Sequence, residues 1–351
     1  MSKDRKKKIS QLWVNPGPAL IIAEAGVNHN GDMGLAFEMI EVAADSGADV
    51  VKFQTFKADR YISRVSPQAD YQKQNTGTDI PMLELMKKLE IGRADHEALI
   101  GKCHDCGILF ASSVFEEDAP GLLDELDVPF IKIPSGEVPN LRLLRIVAEK
   151  GRPIILSTGM SGLAEVAIAV ETIRDAGDPD LALLQCTSDY PSRAEDANLK
   201  AMATMRSAFS VPVGYSDHTI GCEVACAAIA LGACILEKHF TMSRDLAGPD
   251  HAASIDPDGF AEYVRSVRNV EASLGSAIKA PTKADRITAR VARKSLTASS
   301  DLSAGHVICE KDITVKRPGT GIPAERFDWY IGRTLAKDVQ ADALFEEEFF
   351  V

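Results

Sequence analysis

One recurring phrase restricts this chain more than any other feature: a short aliphatic or β-branched run, a polar ending, and then a helix-length segment closed by glycine. Eight such runs occupy residues 20–27, 50–56, 109–114, 130–136, 153–160, 182–188, 212–218 and 234–240. Most are near-continuously apolar, as expected of strands buried on both faces in a parallel sheet. Helical segments are predicted between them at 33–47, 161–177, 221–232 and 257–274. In the first, Ala36, Ile40, Ala43 and Ala44 share one face and Gly47 is the terminator. Eight strands alternating with helices in about 260 residues predict an α/β fold, a closed (β/α)8 barrel rather than an open sheet. The longest gap, 57–108, is expected to hold a lid-like loop through 70–77 before a helix at 83–89.

With 351 residues the chain is longer than one ordinary core requires. Its texture changes near Lys279 to a polar connector at Pro281-Thr282-Lys283 and then to short strand-like pieces. The expected division is a catalytic barrel at 1–280, a linker at 281–290 and a small β-rich domain at 291–351. Within the last, 293–298 and 332–337 resemble each other, which suggests internal pseudo-symmetry.

A formal net charge of -12 argues against nucleic acid and anionic membranes as partners, because non-specific binding to either needs a cationic field. No stretch reads as a membrane span, and the basic Lys3 to Lys8 run is followed by Gln11, Asn15 and prolines rather than an apolar signal core. A cytoplasmic protein is expected. Seven cysteines, an odd number, do not form a disulfide framework, and the Cys103/Cys106 pair has no second pair to complete a zinc site. All seven read as small buried thiols or helix residues.

In a barrel, the working groups stand at the carboxyl ends of the strands, and here nearly every run ends in polar residues. Lys52 with Gln54, Ser216 with His218, and Glu237 with His239 are each two residues apart and so share a face of their strand. Burying this many polar groups is costly without a ligand to meet them. His218 and His239 end consecutive strands, which lie ~4.8 Å apart when adjacent, so both imidazoles can reach one divalent ion. The spacing is equally compatible with two hydrogen-bonded core histidines. Lys52 and Lys132, with Ser113, Ser135, Ser157 and Ser216, offer cations and hydroxyls for a phosphate and a carboxylate. Alternatively, Lys132 is the desolvated Schiff-base lysine of an aldolase. Glu137 is a candidate proton carrier or a solvated loop acid.

Seven motifs carry a resemblance over nearly the whole chain: residues 23–31 (AEAGVNHNG), 52–55 (KFQT), 132–137 (KIPSGE), 156–160 (LSTGM), 214–218 (GYSDH), 237–240 (EKHF) and 248–251 (GPDH). Together they resemble the sialic acid synthase family, and the tail around 316–321 (KRPGTG) resembles that family's antifreeze-like, or SAF, domain. The resemblance implies a TIM barrel followed by a SAF domain, and a domain-swapped homodimer in which Arg317 completes the partner's sugar site. It implies Mn2+, or Mg2+ or Co2+, on His218 and His239. It places phosphoenolpyruvate on Lys52, Ser113, Lys132, Ser135, Ser157 and Ser216, and an acylated amino sugar on Gln54, Asn75, Glu137, Tyr190, Asp250 and Arg317.

The implied reaction is condensation of phosphoenolpyruvate with the sugar's aldehyde to a 2-keto sugar acid with release of phosphate, Glu24 or Glu137 managing the protons. N-acetylmannosamine, leading to N-acetylneuraminate, is the first expectation for the acceptor, with 2,4-diacetamido-2,4,6-trideoxymannose, leading to N,N'-diacetyllegionaminate, the alternative. Residues 248–251 argue against a pseudaminate synthase. Two positions depart from the family pattern: Ser188 replaces an asparagine of some relatives, and Ser112-Ser113-Val114 replaces Ser-Thr-Pro. Asp189 is an unexpected neighbour for an anionic ligand. The non-enzymatic alternative is a carbohydrate- or ice-binding module carried on a scaffold barrel.

Overall fold

The computed structural model describes residues 17–68 and 80–351. The expected lid at 70–77, with Asn75, lies outside the described residues. The chain divides into two compact units, 1–275 and 276–351.

The first unit is a closed parallel barrel of β1 (Leu20–Gly26), β2 (Val50–Thr55), β3 (Leu109–Val114), β4 (Ile131–Ile133), β5 (Ile154–Ser157), β6 (Leu181–Cys186), β7 (Val213–Asp217) and β8 (Ile235–His239). Each strand pairs with the next, and β1 closes the ring against β8 with Glu24 opposite His239. Its helices are α1 (Met33–Asp45), α2 (Ala58–Tyr61), α3 (Met82–Lys87), α4 (Arg93–Cys106), α5 (Ala119–Glu125), α6 (Leu141–Ala148), α7 (Leu163–Asp175), α8 (Ala201–Phe209), α9 (Glu223–Ala230) and α10 (Pro257–Leu274).

Local signals explain why these segments are helical. The Asp32 carboxylate caps α1 by accepting from the Gly34 and Leu35 amides, and Ala36, Met39, Ile40 and Ala43 form its buried stripe. The gap at 57–108 holds a helix that periodicity did not signal, α4. Its buried stripe is only His96, Leu99 and Cys103, too sparse and polar to stand out, while the Asp95 carboxylate ties back to the Gly92 amide at 2.7 Å. Cys103 and Cys106 both sit on this helix as free thiols.

Alternation along the strands sorts residues between two environments. Ile21, Ala23, Val51 and Phe53 face outward and join the main core with the surrounding helices. Leu20, Ile22, Val50, Ala111, Phe130, Ile155, Ala182, Leu184 and Ile235 fill the lower barrel interior. Next along those inward rows come Glu24, Lys52, Ser113, Lys132, Ser157, Cys186 and Glu237.

The second unit differs from expectation at its start, because the 281–290 linker is largely helix. Here α11 (Lys283–Ala292) begins at a capping box in which Thr282 and Asp285 bond each other's backbone amides, and none of its residues is buried. A two-stranded antiparallel sheet of β9 (Ser295–Ala298) and β10 (Ile313–Lys316) follows, and then α12 (Phe327–Tyr330). The two similar hexapeptides, 293–298 and 332–337, each place a buried leucine, Leu296 and Leu335, in this unit's core.

Candidate active site

The upper barrel interior opens into a cavity of about 400 Å³, a size typical of small-molecule sites. At its floor is a network of charges and hydroxyls drawn from seven strands. Lys52 Nζ is 2.5 Å from Glu24 Oε2, 3.8 Å from Glu237 Oε2, and donates to Ser113 Oγ at 2.7 Å. Lys132 Nζ is 3.4 Å from Glu237 Oε1 and donates to Ser157 Oγ at 2.8 Å. Ser216 Oγ donates to Glu237 Oε1 at 3.3 Å, and Gln54 Nε2 donates to Glu24 Oε1 at 3.3 Å.

The two carboxylates behave oppositely. Burial raises Glu24 above the ordinary range, and Lys52 only partly offsets it. Burial also opposes ionisation of Glu237, but Lys132 and Lys52 outweigh it and hold that carboxyl low. Burial likewise lowers the Lys132 ammonium, with Glu237 opposing. Glu237 is therefore the fixed counter-ion of the pair of lysines, whereas Glu24 is the acid able to exchange a proton near neutrality.

Above this floor, the rings of His218 and His239 stand 5.3 Å apart between centroids, with the Tyr190 ring 4.1 Å from His218. His218 Nδ1 bonds the Thr187 carbonyl at 2.7 Å, so that nitrogen carries the proton and Nε2 keeps its lone pair. His239 Nδ1 is buried with no hydrogen-bond partner, and burial and then His218 hold its ring well below the usual value. For His218, burial opposes protonation, but the Cys186 thiol at 3.9 Å and the Thr187 carbonyl outweigh it. Two neutral-capable imidazoles with lone pairs to spare fit a divalent ion that keeps positions for water or substrate oxygen. Among the described residues no third His, Cys, Asp or Glu joins them in a ligand cluster.

Of the residues singled out in the sequence, Glu24, Lys52, Gln54, Ser113, Lys132, Ser135, Ser157, Tyr190, Ser216, His218, His239 and Asp250 all line this one cavity. Three do not. Glu137 lies off the lining, half-buried, accepting from Asn140 Nδ2 at 2.7 Å; Asn75 is outside the described residues, and Arg317 is an exposed residue of the second unit.

Sequence reasoning left out Glu237 as a site residue, although its spacing from His239 had placed it on the inward face. Cys186, which in sequence is one of the small buried thiols, also lines the cavity, because Ala182 and Leu184 set the parity that turns it inward. Asp189 is exposed and off the lining, whereas Ser188 is on it. A Cβ on Gly159 would lie 2.4 Å from Ser188 Oγ, 2.9 Å from Ser135 Oγ and 3.3 Å from Cys186 Sγ. Only glycine lets these three side chains crowd onto one backbone position. Nothing in a lone sequence flags the apolar upper wall of Val27, Met82, Met86 and Phe115.

Residues 39–279 match the NeuB family and residues 293–350 match the SAF domain. The chain belongs to the NeuB family. As a member it is a phosphoenolpyruvate-dependent condensing enzyme, which sets aside the scaffold-borne binding module. It is 43% identical over 330 residues to the N,N'-diacetyllegionaminic acid synthase of Campylobacter jejuni, covering 93% of this chain and 99% of that one. To the N,N'-diacetyllegionaminic acid synthase of Legionella pneumophila it is 44% identical over 325 residues, covering 92% and 91%. Among solved structures, the N-acetylneuraminic acid (sialic acid) synthetase of Leptospira borgpetersenii, in complex with citrate, superposes with a TM-score of 0.68 at 34% identity, covering 78% of this chain and 91% of that one. Among the described residues no helix is long and apolar enough to cross a membrane.

Proposed function

We propose that this enzyme condenses phosphoenolpyruvate with 2,4-diacetamido-2,4,6-trideoxymannose to give N,N'-diacetyllegionaminate and phosphate. The observation that carries the acceptor is the 43% and 44% identity to two legionaminic acid synthases over more than nine-tenths of this chain, against 34% to the sialic acid synthetase. The apolar wall of Val27, Met82, Met86 and Phe115 supports it, because a 6-deoxy sugar presents a methyl group where a hexose presents a hydroxyl that needs a partner.

In this reading Lys52 and Lys132 hold the phosphate and carboxylate of phosphoenolpyruvate, with Ser113, Ser135, Ser157 and Ser216 donating hydroxyl hydrogen bonds. Glu237 stays ionised between the lysines and fixes their positions. Gln54, Tyr190 and Asp250 hold the amino sugar, with Asn75 and the partner copy's equivalent of Arg317. A divalent ion such as Mn2+, Mg2+ or Co2+ on His218 and His239 supplies, when bound, Lewis-acid polarisation of the aldehyde. The enol carbon bonds to the aldehyde carbon, water adds at the resulting oxocarbenium centre, and the adduct expels phosphate. Glu24 is the acid suited to deliver a proton to the aldehyde oxygen and to take one from the water.

We further propose a homodimer in the cytoplasm. The exposed apolar residues of α11, Ile287 and Val291, are 65% and 70% accessible and suit cover by a second copy.

Phosphate release assayed with phosphoenolpyruvate and a panel of acylated amino sugars tests this reading. The diacetamido trideoxy sugar is expected to be turned over at least ~10-fold more efficiently than N-acetylmannosamine, the scale of discrimination that one hydroxyl against an apolar wall supports. The reverse order would return the acceptor to N-acetylmannosamine. A chelator is expected to abolish release, and borohydride with pyruvate is expected to trap no adduct on Lys132. The opposite pair of results would make this a Schiff-base aldolase.

A further inference from the structure

The Asn28-His29-Asn30 tripeptide belongs to a motif expected to serve the reaction, yet none of the three lines the cavity. Their side chains run the other way, across the seam where β1 meets β8. Asn28 Nδ2 donates to the Phe240 carbonyl and to Ser254 Oγ, both at 2.9 Å, and Ser254 Oγ in turn donates to the Asp250 carbonyl at 2.7 Å. Asn30 Nδ2 donates to the Ala247 carbonyl at 2.9 Å. All four acceptors lie in the segment from β8 to α10, and that segment delivers Asp250 to the cavity.

Two buried histidines line the same seam. His29 Nδ1 accepts from the Gly31 amide at 3.0 Å, so its Nε2 carries a hydrogen. His251 Nδ1 bonds Thr241 Oγ1 at 2.6 Å, and that hydroxyl donates to the Ser243 carbonyl at 3.0 Å, so His251 Nδ1 is the donor and its Nε2 an acceptor. Both Nε2 atoms are buried without partners in the protein, one a donor and the other an acceptor. Burial pushes both rings down to about 4, which keeps them neutral and preserves this polarity. The packing is close: a Cβ on Gly248 would lie 2.7 Å from Asn30 Oδ1 and 2.9 Å from His251 Nε2.

We propose that Asn28, Asn30 and Ser254 are positioning residues: a clasp from the first strand's loop that holds the eighth strand's loop in place and so aims Asp250 at the amino sugar. The clasp touches no group that binds phosphoenolpyruvate. It rests on the reading above only for what Asp250 holds.

Two measurements on Asn28→Ala, Asn30→Ala and Ser254→Ala test it. The first, amide hydrogen exchange of the ligand-free protein, is independent of activity; exchange is expected to rise several-fold across 247–254 and to stay unchanged across 131–137. The second is steady-state kinetics, in which KM for the amino sugar is expected to rise about 10-fold and KM for phosphoenolpyruvate to stay within about two-fold. Ser254→Ala removes a single hydroxyl and covers the case in which Asn28→Ala fails to fold. Unchanged exchange at 247–254 would overturn the clasp whatever the activity. Faster exchange with equal effects on both KM values would overturn its positioning role. Wild-type turnover of the sugar panel, run beside the variants, separates failure of the clasp from failure of the proposed reaction.

Discussion

The lower and upper halves of the barrel interior are built by the same strands and side-chain alternation, yet one is packed and the other charged. On β5, Ile155 belongs to the lower apolar plug, and Ser157, two residues on, bonds Lys132. The plug gains from excluding water, at about 25 cal/mol per Å² buried. The charged layer gains no such advantage: taking Glu24, Glu237, Lys52 and Lys132 out of water is repaid only while each keeps a partner. A structure that keeps such a layer has placed its cost where a ligand can use it. Stability and catalysis here are separated by one inward-facing position along a strand.

Substitutions on either side of that division separate the two roles. Replacing a charge of the upper layer should have the largest effect: Lys132→Met is expected to lower kcat/KM by at least ~10³-fold, since losing even one preorganised donor costs 10²- to 10³-fold. Retained turnover would show that the layer is structural. Next is the plug itself, where Ile155→Ala is expected to cost ~3 kcal/mol in chemical denaturation while the folded fraction keeps its kcat. Its neighbour provides the contrast: Ser157→Ala should change stability by less than ~1 kcal/mol and lower kcat/KM ~30-fold.

Glu24→Gln is expected to reduce kcat about 100-fold and to remove the ionisation assigned to the proton carrier from the pH profile of kcat. That ionisation should lie above the ordinary carboxylate value, because burial favours the protonated acid. Glu137→Gln, off the cavity lining, should alter kcat by less than about two-fold. A large Glu137 effect with a small Glu24 effect would reverse the assignment.

A pH-dependent effect belongs to the seam. His29 has its folded value lowered to about 4 from 6.5, so wild-type stability relative to His29→Gln is complete above pH 6.5 and is lost as pH falls from there towards 4, where the unfolded chain binds the extra proton. The difference in Tm between the two proteins is expected to narrow or invert by roughly 5 °C across that window. A constant difference would mean that the ring is not held neutral.

Much of the fold and cavity follows from residues read in order. Apolar runs with polar ends mark the strands, and the two-residue spacings of Lys52 with Gln54 and Glu237 with His239 announce an inward face. The exceptions share a cause. Helix α4 escaped because its stripe is short and partly polar, and α11 because an amphipathic segment with no buried face reads like a connector. Cys186 looked inert because nothing near it in sequence marks which way β6 turns. The Asn28-His29-Asn30 motif was visible, but the direction in which it acts was not.

What the sequence determined by itself is local: periodicity, capping and the parity of each strand, all properties of residues a few positions apart. The tertiary structure decided which strand ends meet. Closure of β1 on β8 sets Glu24 beside His239 across most of the barrel's sequence, and the same closure turns Asn28 towards the loop that carries Asp250. No local pattern encodes such a meeting, because the free energy of bringing distant segments together comes from burying the whole core at once.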